Sequence, residues 1–358
     1  MPQKRPPDFI LILCILLLLL MGILVLATAS APFSFKITKN PNYYLIHQII
    51  YGLIPGLILG FIFFKLHLNF LTKISLGIFL ISLFAMFLVF FPYLGRESGG
   101  AVRWIELGPI AFQPSEFLKI ATILYLATWL GSLKKRTFFP FLVIIALISI
   151  ALILQSDIST LIIITLICFI LYFCARTPLW HTILIGGVSI ISLPILIKIA
   201  PYRIDRLLVF LHSEIEPLGI GYHSKQALIS VGSGQIAGSG LGLSIQKFGF
   251  LPQSISDSIF AIFAEETGFI GCAFLIILFL ILVQRAFSIS KNLKDLSLKL
   301  IVIGIGVWIS FQSFINIGAM IGVLPLSGTP LPFISYGGSH LIAELIAMGV
   351  LLNISSNG

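Results

Sequence analysis

Charge is what this chain has least of. Only 10% of its 358 residues are Asp, Glu, Lys or Arg, while 58% are hydrophobic. A soluble globular domain carries about 25% charge, so that class is excluded. Acids are scarcer still, with thirteen Asp and Glu against twenty-two Lys and Arg. The resulting net charge of +9 does not form a nucleic-acid patch. The basic residues sit mostly between apolar runs, where they read as topology signals and contacts to anionic lipid. Cysteine is limited to Cys14, Cys168, Cys174 and Cys272, all inside apolar runs and without CxxC or Cys/His spacing. Neither a disulfide nor a metal cluster is expected; the four read as small core-filling side chains. The histidines His47, His67, His181, His212, His223 and His340 are scattered, and no two have metal-ligand spacing. No repeat of fixed period and no soluble domain is visible.

What the chain has in abundance is apolar runs of about 20 residues, each long enough to cross a bilayer. Ten are expected: Phe9–Thr28, His47–Leu66, Ile74–Phe91, Pro114 to Leu130, Phe138–Gln155, Ile158–Cys174, His181–Ile199, Asp257–Gln284, Leu300–Leu324 and Ser339–Ile354. The first ends in a small-residue stretch like a signal-peptide cleavage site, but it exceeds the usual 7–15 residues and is read as a retained helix. The fold class expected is all-α, a polytopic membrane protein of about ten transmembrane helices forming one domain over residues 1–358. Ser30–Leu45, Pro92–Gln113 and Pro325–Gly338 read as loops, and about 200–257 as one large extracytoplasmic loop. With the N-terminus inside, Lys4, Arg5, Lys65, Lys73, Lys134, Lys135, Arg136, Arg176, Arg285, Lys291, Lys294 and Lys299 all fall on cytoplasmic segments, as the positive-inside rule asks. Both termini are then cytoplasmic.

The acids concentrate in Leu251–Gly271, LPQSISDSIFAIFAEETGFIG. Asp257 stands where a polar loop enters an apolar helix. It suits a general base whose pKa is raised by partial desolvation, and equally a helix N-cap. Glu265 and Glu266 follow inside the helix, about 100° apart on its surface, so they cannot face one partner. A structural ion pair and a polar cavity are both open to them. Glu116 and Lys119, spaced i,i+3, suit a mutual ion pair. Alternatively Lys119 joins Arg103 in a positive pocket for an anionic headgroup. Arg103 beside Trp104 also suits an interfacial anchor. Asp157, between two apolar runs, suits a helix cap. The run Gly232–Gly242, GSGQIAGSGLG, lacks the strand–helix context of a phosphate loop and reads as a flexible re-entrant loop. These residues are compatible with a transporter, a channel or an enzyme acting on a lipid-linked substrate.

Five stretches, in order along the chain, resemble the SEDS family (shape, elongation, division and sporulation) of FtsW, RodA and SpoVE. They are GGAVRWIELGPIAFQPSEFLKIA (Gly99–Ala121), PYRIDRLLVFL (Pro201–Leu211), GYHSKQALISVGSGQIAGSGLGLSIQKFGFLP (Gly221–Pro252), SDSIFAIFAEETGFIG (Ser256–Gly271) and GTPLPFISYGGS (Gly328–Ser339). The GLGLSIQKFGFLP wording is closer to the FtsW/SpoVE branch. The resemblance implies a peptidoglycan glycosyltransferase that polymerises lipid II during division or wall synthesis. It implies Asp257 as the essential carboxylate, with Arg103, Trp104, Glu116, Lys119, Glu265 and Glu266 lining or supporting the cavity. Arg203 and Arg206 are further outer-side cations available to a leaving pyrophosphate. No cofactor is certain, and a divalent cation, Mg or Mn, could assist. The partners implied are lipid II and an undecaprenyl-pyrophosphate-linked glycan, a class B penicillin-binding protein transpeptidase, divisome proteins and membrane lipids, with no nucleic acid. The location implied is the bacterial inner (plasma) membrane. The family's LPExHTDFIFA motif is altered around Asp257: Gln253, Ile255, Ser256 and Ser258 stand where it has Glu, His, Thr and Phe. A lipid II flippase, for which Glu265, Glu266 and Glu344 leave room, and a non-catalytic scaffold for a transpeptidase are the alternatives.

Overall fold

A computed structural model describes residues 6–91, 93–98, 101–108, 110–132, 138–199, 204, 208–211 and 221–358. Among them, ten helical segments match the ten apolar runs: α1 (Phe9–Thr38), α2 (Tyr43–Lys65), α3 (Leu68–Leu88), α4 (Pro114–Ser132), α5 (Phe138–Leu154), α6 (Ile158–Cys174), α7 (Leu179–Ile199), α9 (Ile259–Asn292), α10 (Leu296–Met320) and α11 (Gly338–Asn357). The chain is therefore an all-α polytopic membrane protein. Six of these helices are long and apolar enough to cross a membrane by length and composition alone, and α5 and α6 are shorter apolar helices. A short helix, α8 (Tyr222–Ser233), lies in the long polar stretch before α9.

Three expectations are corrected. Ser30–Leu45 is mostly helix, because α1 continues through Pro32 and ends only where Lys39 takes a left-handed φ of 61°. A proline removes one ladder bond, and buried Ser30 and Ser34 on the same stretch keep it packed. Pro92–Gln113 is a small antiparallel sheet, β1 (Gly95–Ser98), β2 (Ala101–Leu107) and β3 (Ile110–Phe112) in that order. Valine, tryptophan and isoleucine in β2 favour a strand, but flanking glycines and charges disguise so short a run. Finally, Arg285–Lys299 is no connector: α9 continues to Asn292, and Asp295 caps α10 by accepting from the Ser297 N–H at 2.7 Å.

Helices approach most closely where glycine replaces bulk, as expected in lipid, where no hydrophobic force drives helices together. Gly52, Gly56 and Gly60 are spaced four apart on α2 and face α11. A Cβ at Gly349 would come within 2.1 Å of the Gly60 carbonyl oxygen.

The bundle has two distinct ends. At one, the Asp8 N–H donates to Ser355 Oγ at 3.3 Å, Arg285 Nε donates to the Asp8 carboxylate at 3.1 Å, and Asn353 donates to the carbonyls of Phe63 and Leu66. Both described chain ends thus lie together, with the α2–α3 turn and the end of α9. The opposite end carries the β-sheet, the α5–α6 turn, the 221–258 segment and the 325–337 loop. The described residues among the site candidates, Arg103, Trp104, Glu116, Lys119, Asp257, Glu265 and Glu266, collect there or in the helical turns just beneath it.

Candidate active site

Asp257 lies on a turn formed by residues 252–258. Gln253 enters the left-handed region, with φ of 51°, and its carbonyl accepts from the N–H groups of Ser256 and Ser258, both at 3.1 Å. The helix cap is Ser258, not Asp257, and the Ser258 side chain makes no capping bond. Its Oγ instead donates to the Pro252 carbonyl at 2.9 Å and lies 2.6 Å from His223 Nε2 on α8. Asp257 is half-buried, one residue before the cap.

Two further elements hold this turn. Asn316 of α10 donates to the carbonyls of Asp257 (2.8 Å) and Thr329 (2.7 Å). From the 325–337 loop, Ser335 Oγ donates to the Ser256 carbonyl at 2.7 Å and accepts from the Leu331 N–H at 2.8 Å. The Tyr336 N–H donates to the Ile255 carbonyl at 2.9 Å. Small polar side chains suit this role because they reach backbone groups without filling space. Around Tyr336, burial and then the neighbouring Tyr44 and Tyr43 push its phenol upward, so it stays neutral and pairs with His47 Nδ1 at 2.9 Å.

Beneath the turn, Glu116 and Lys119 of α4 pair at 2.7 Å, and both are buried. Lys119 Nζ also donates to Gln312 Oε1 at 2.8 Å and lies 5.0 Å from the Trp308 ring centroid. Gln312 in turn accepts from Trp308 Nε1 at 2.7 Å and donates to the Pro330 carbonyl at 3.0 Å. The three α10 residues 308, 312 and 316 are spaced four apart, so one helix face joins the ion pair, the 325–337 loop and the Asp257 turn.

Arg103 does not join Lys119. From β2 it donates to the carbonyls of Gln155 (Nε, 3.2 Å) and Ser156, clamping the α5–α6 turn. Asp157 of that turn is a helix cap, accepting from the Thr160 N–H at 3.3 Å and from Ser115 Oγ at 3.1 Å. Trp104 is half-buried on β2, across from Arg96. Arg203 and Arg206 lie outside the described residues, as do Lys134, Lys135 and Arg136.

Glu265 and Glu266 are buried and committed to the glycine-rich segment. Glu265 accepts from Ser230 Oγ (3.2 Å), Ser244 Oγ (2.5 Å) and the Ile245 N–H (2.9 Å). Glu266 pairs with Lys247 at 3.0 Å and accepts from Thr28 Oγ1 at 2.8 Å. The reason follows two residues later. At Gly268 (φ 65°, ψ −163°) α9 breaks, freeing backbone groups that a lipid interior cannot hydrate. Residues 235–240 satisfy them. The Phe269 and Ile270 N–H groups donate to the carbonyls of Gln235 and Ile236, and the Ser239 and Gly240 N–H groups donate to those of Glu265 and Glu266. The glycine-rich run is thus a re-entrant segment docked on a broken helix.

The residue that sequence reading missed at the turn is His223, and Asn316 and Ser335 were missed with it. Ser258 was noticed only as a departure from a motif. Its partner lies 35 residues away in sequence, and no spacing rule links them. Among the described residues, no group of three or more His, Cys, Asp or Glu could hold a metal ion.

Known proteins resemble this chain along its length. A family profile for FtsW, RodA and SpoVE, described as "Cell cycle protein", matches residues 8–358. A probable peptidoglycan glycosyltransferase FtsW of Coxiella burnetii is 36% identical over 97% of this chain and 96% of its own length. Stage V sporulation protein E of Bacillus subtilis is 35% identical, covering 99% and 98%. Among solved structures, a chain from a peptidoglycan synthase complex, described as coordinating polymerization and crosslinking, superposes with a TM-score of 0.79 at 26% identity, covering 98% of this chain and 97% of that one. A mutant of the Rod shape determining protein RodA of Thermus thermophilus superposes with a TM-score of 0.72 at 25% identity, with the same coverage.

Proposed function

The chain belongs to the FtsW/RodA/SpoVE family of cell cycle proteins, and from that premise we propose that it is a peptidoglycan glycosyltransferase that builds glycan strands from lipid II. The observation that carries the reading is the Asp257 turn: a half-buried acid on a turn held by α8, α10 and the 325–337 loop, at the bundle end away from the termini.

The donor is the growing glycan on undecaprenyl pyrophosphate, and the acceptor is lipid II. Asp257 removes the proton from the acceptor's GlcNAc 4-hydroxyl as its oxygen attacks the donor's anomeric carbon. The undecaprenyl pyrophosphate leaves with the bonding electron pair. A positioned base of this kind is worth about 10²–10⁴-fold. A rigid turn adds to that by fixing the angle of attack. Negative charge developing on the pyrophosphate needs fixed positive charge. Lys119 and Arg103 already serve internal partners, so that task falls to Arg203 and Arg206. A divalent cation would add positive charge beside the leaving pyrophosphate, and no step here depends on it. Lys119 and Glu116 support the site from beneath, while Glu265 and Glu266 anchor the re-entrant segment beside it.

Sidedness follows from charge. Lys65, Lys73, Arg176, Arg285, Lys291, Lys294 and Lys299 cluster toward the terminus-bearing end in the topology above, which we assign to the cytoplasm of a bacterial inner membrane. The Asp257 end then faces outward, where lipid II is polymerised and where a class B penicillin-binding protein, together with other division proteins, would receive the strand.

The test is polymerisation of labelled lipid II by the purified chain, with and without a cognate transpeptidase. Strands from the wild type and none from Asp257→Asn are expected. Asp257→Asn polymerising at the wild-type rate would overturn the reading. Wild-type protein that moves lipid II across vesicles without making strands would replace it with a flippase.

A further inference from the structure

The hydroxyl of Ser258 has one proton, and the Pro252 carbonyl, 2.9 Å away, accepts it. A hydroxyl that already donates can only accept from a second partner. The His223 Nε2 lies 2.6 Å from the same oxygen, and while Ser258 donates to Pro252 it is a protonated Nε2 that donates to the hydroxyl. In either direction the contact ties the imidazole to the Ser258 hydroxyl. The geometry of the turn gives the bond its importance. Pro252 opens the turn and Ser258 closes it, with Asp257 joined to Ser258 by a single peptide. The Ser258 hydroxyl bridges the two ends, and the Ser258 N–H donates to the Gln253 carbonyl at 3.1 Å. Asn316 and Ser335 hold only backbone carbonyls of the turn, at Asp257 and Ser256. His223 reaches it through a side chain adjacent to the acid and brings in a separate element, α8. A phenylalanine at position 258, as in the motif this stretch resembles, offers no acceptor. The pairing therefore belongs to this chain's own residues.

We propose that His223 is a positioning residue: through Ser258 it holds the 252–258 turn closed and aims the Asp257 carboxylate at the acceptor hydroxyl. The proposal rests on the reading of Asp257 as the base. Its effect is on the chemical step and not on substrate capture, because the turn presents the carboxylate and not a binding surface.

The experiment measures kcat and KM for lipid II polymerisation by the full purified chain, with thermal midpoints in the same detergent. The variants are His223→Leu, His223→Gln, Ser258→Ala, the double variant His223→Leu/Ser258→Ala, and Asp257→Asn. A misaimed catalytic group costs about ten- to a hundredfold. His223→Leu and Ser258→Ala should each lower kcat in that range with KM nearly unchanged. The double variant should fall no further than either single change, because both remove one interaction. His223→Gln, whose amide N–H can replace Nε2–H, should recover most of kcat. A wild-type kcat in His223→Leu would overturn the proposal. So would losses that multiply in the double variant, or a His223→Gln as slow as His223→Leu with an unchanged midpoint. An inactive Asp257→Asn beside a fully active His223→Leu would sink this inference alone. An active Asp257→Asn would instead sink the base assignment on which it rests.

Discussion

Asp257 and the pair Glu265–Glu266 stand within ten residues of one another, yet the fold uses them in opposite ways. Asp257 is on a turn, half-buried, and its neighbours are held mainly by their backbone groups. Glu265 and Glu266 are inside the helix, buried, and bonded to α1, α8 and the glycine-rich segment that docks on the break at Gly268. The difference is one of depth relative to the break. Before the helix begins, a carboxylate keeps partial access to solvent. One turn above a broken helix in lipid, a carboxylate is tolerable only if it is fully paired. A cluster of acids in a membrane sequence can therefore place one carboxylate on a half-buried turn and two inside a packed polar network.

This contrast can be broken by mutation. The largest effect on activity should come from Asp257→Asn: a loss of about 10²–10⁴-fold in polymerisation, with a thermal midpoint close to wild type. A large drop in that midpoint would make Asp257 structural as well. Next, Lys247→Met should act on stability first. It strands the buried Glu266 carboxylate, and breaking one side of a buried pair costs about 3–5 kcal/mol. The midpoint should fall and activity should fall with it; a stable but inactive Lys247→Met would move Glu266 into the chemistry. Gly268→Ala should cost somewhat less, about 1–3 kcal/mol from a backbone region open essentially to glycine alone. A Cβ there would also sit 2.4 Å from the Gly238 nitrogen, pushing the re-entrant segment off the break. Faster amide exchange at residues 236–240 would report it.

The smallest effect lies at the far end of the molecule. Burial raises the Asp8 carboxyl, but hydrogen bonds from Arg285 and the Leu11 N–H outweigh it, and the net pKa is below the ordinary 3.8. A lowered carboxylate contributes stability above pH 3.8 that is lost as pH falls through the folded value. Asp8→Asn should therefore narrow the stability difference between neutral pH and pH 3, and leave polymerisation at neutral pH nearly unchanged. An unaltered acid profile would refute the assignment.

Much of this was legible in the chain. The ten apolar runs and the i,i+3 pairing of Glu116 with Lys119 follow from period and spacing. So does the cap at Asp157. Other features were hidden for physical reasons. The sheet at 95–112 is too short and too rich in glycine to show a period of two. The helix beyond Gln284 was cut short because basic residues resemble a loop, although long cationic side chains are at home on a helix leaving the membrane. Arg103 was grouped with Lys119 because both are cations near one end, but a β-strand aims it at the 155–156 carbonyls instead.

By itself the sequence determined the class of molecule, the ten apolar helical runs and the stretch where an acid meets the start of an apolar helix. Composition and hydropathy are local properties, and the bilayer imposes a length on each apolar run. Only the tertiary structure decided which acid is presented and which are consumed, that Gly268 breaks its helix, and that His223 meets Ser258. Those outcomes depend on which backbone and side-chain groups remain unsatisfied when distant segments pack in a solvent that cannot hydrate them.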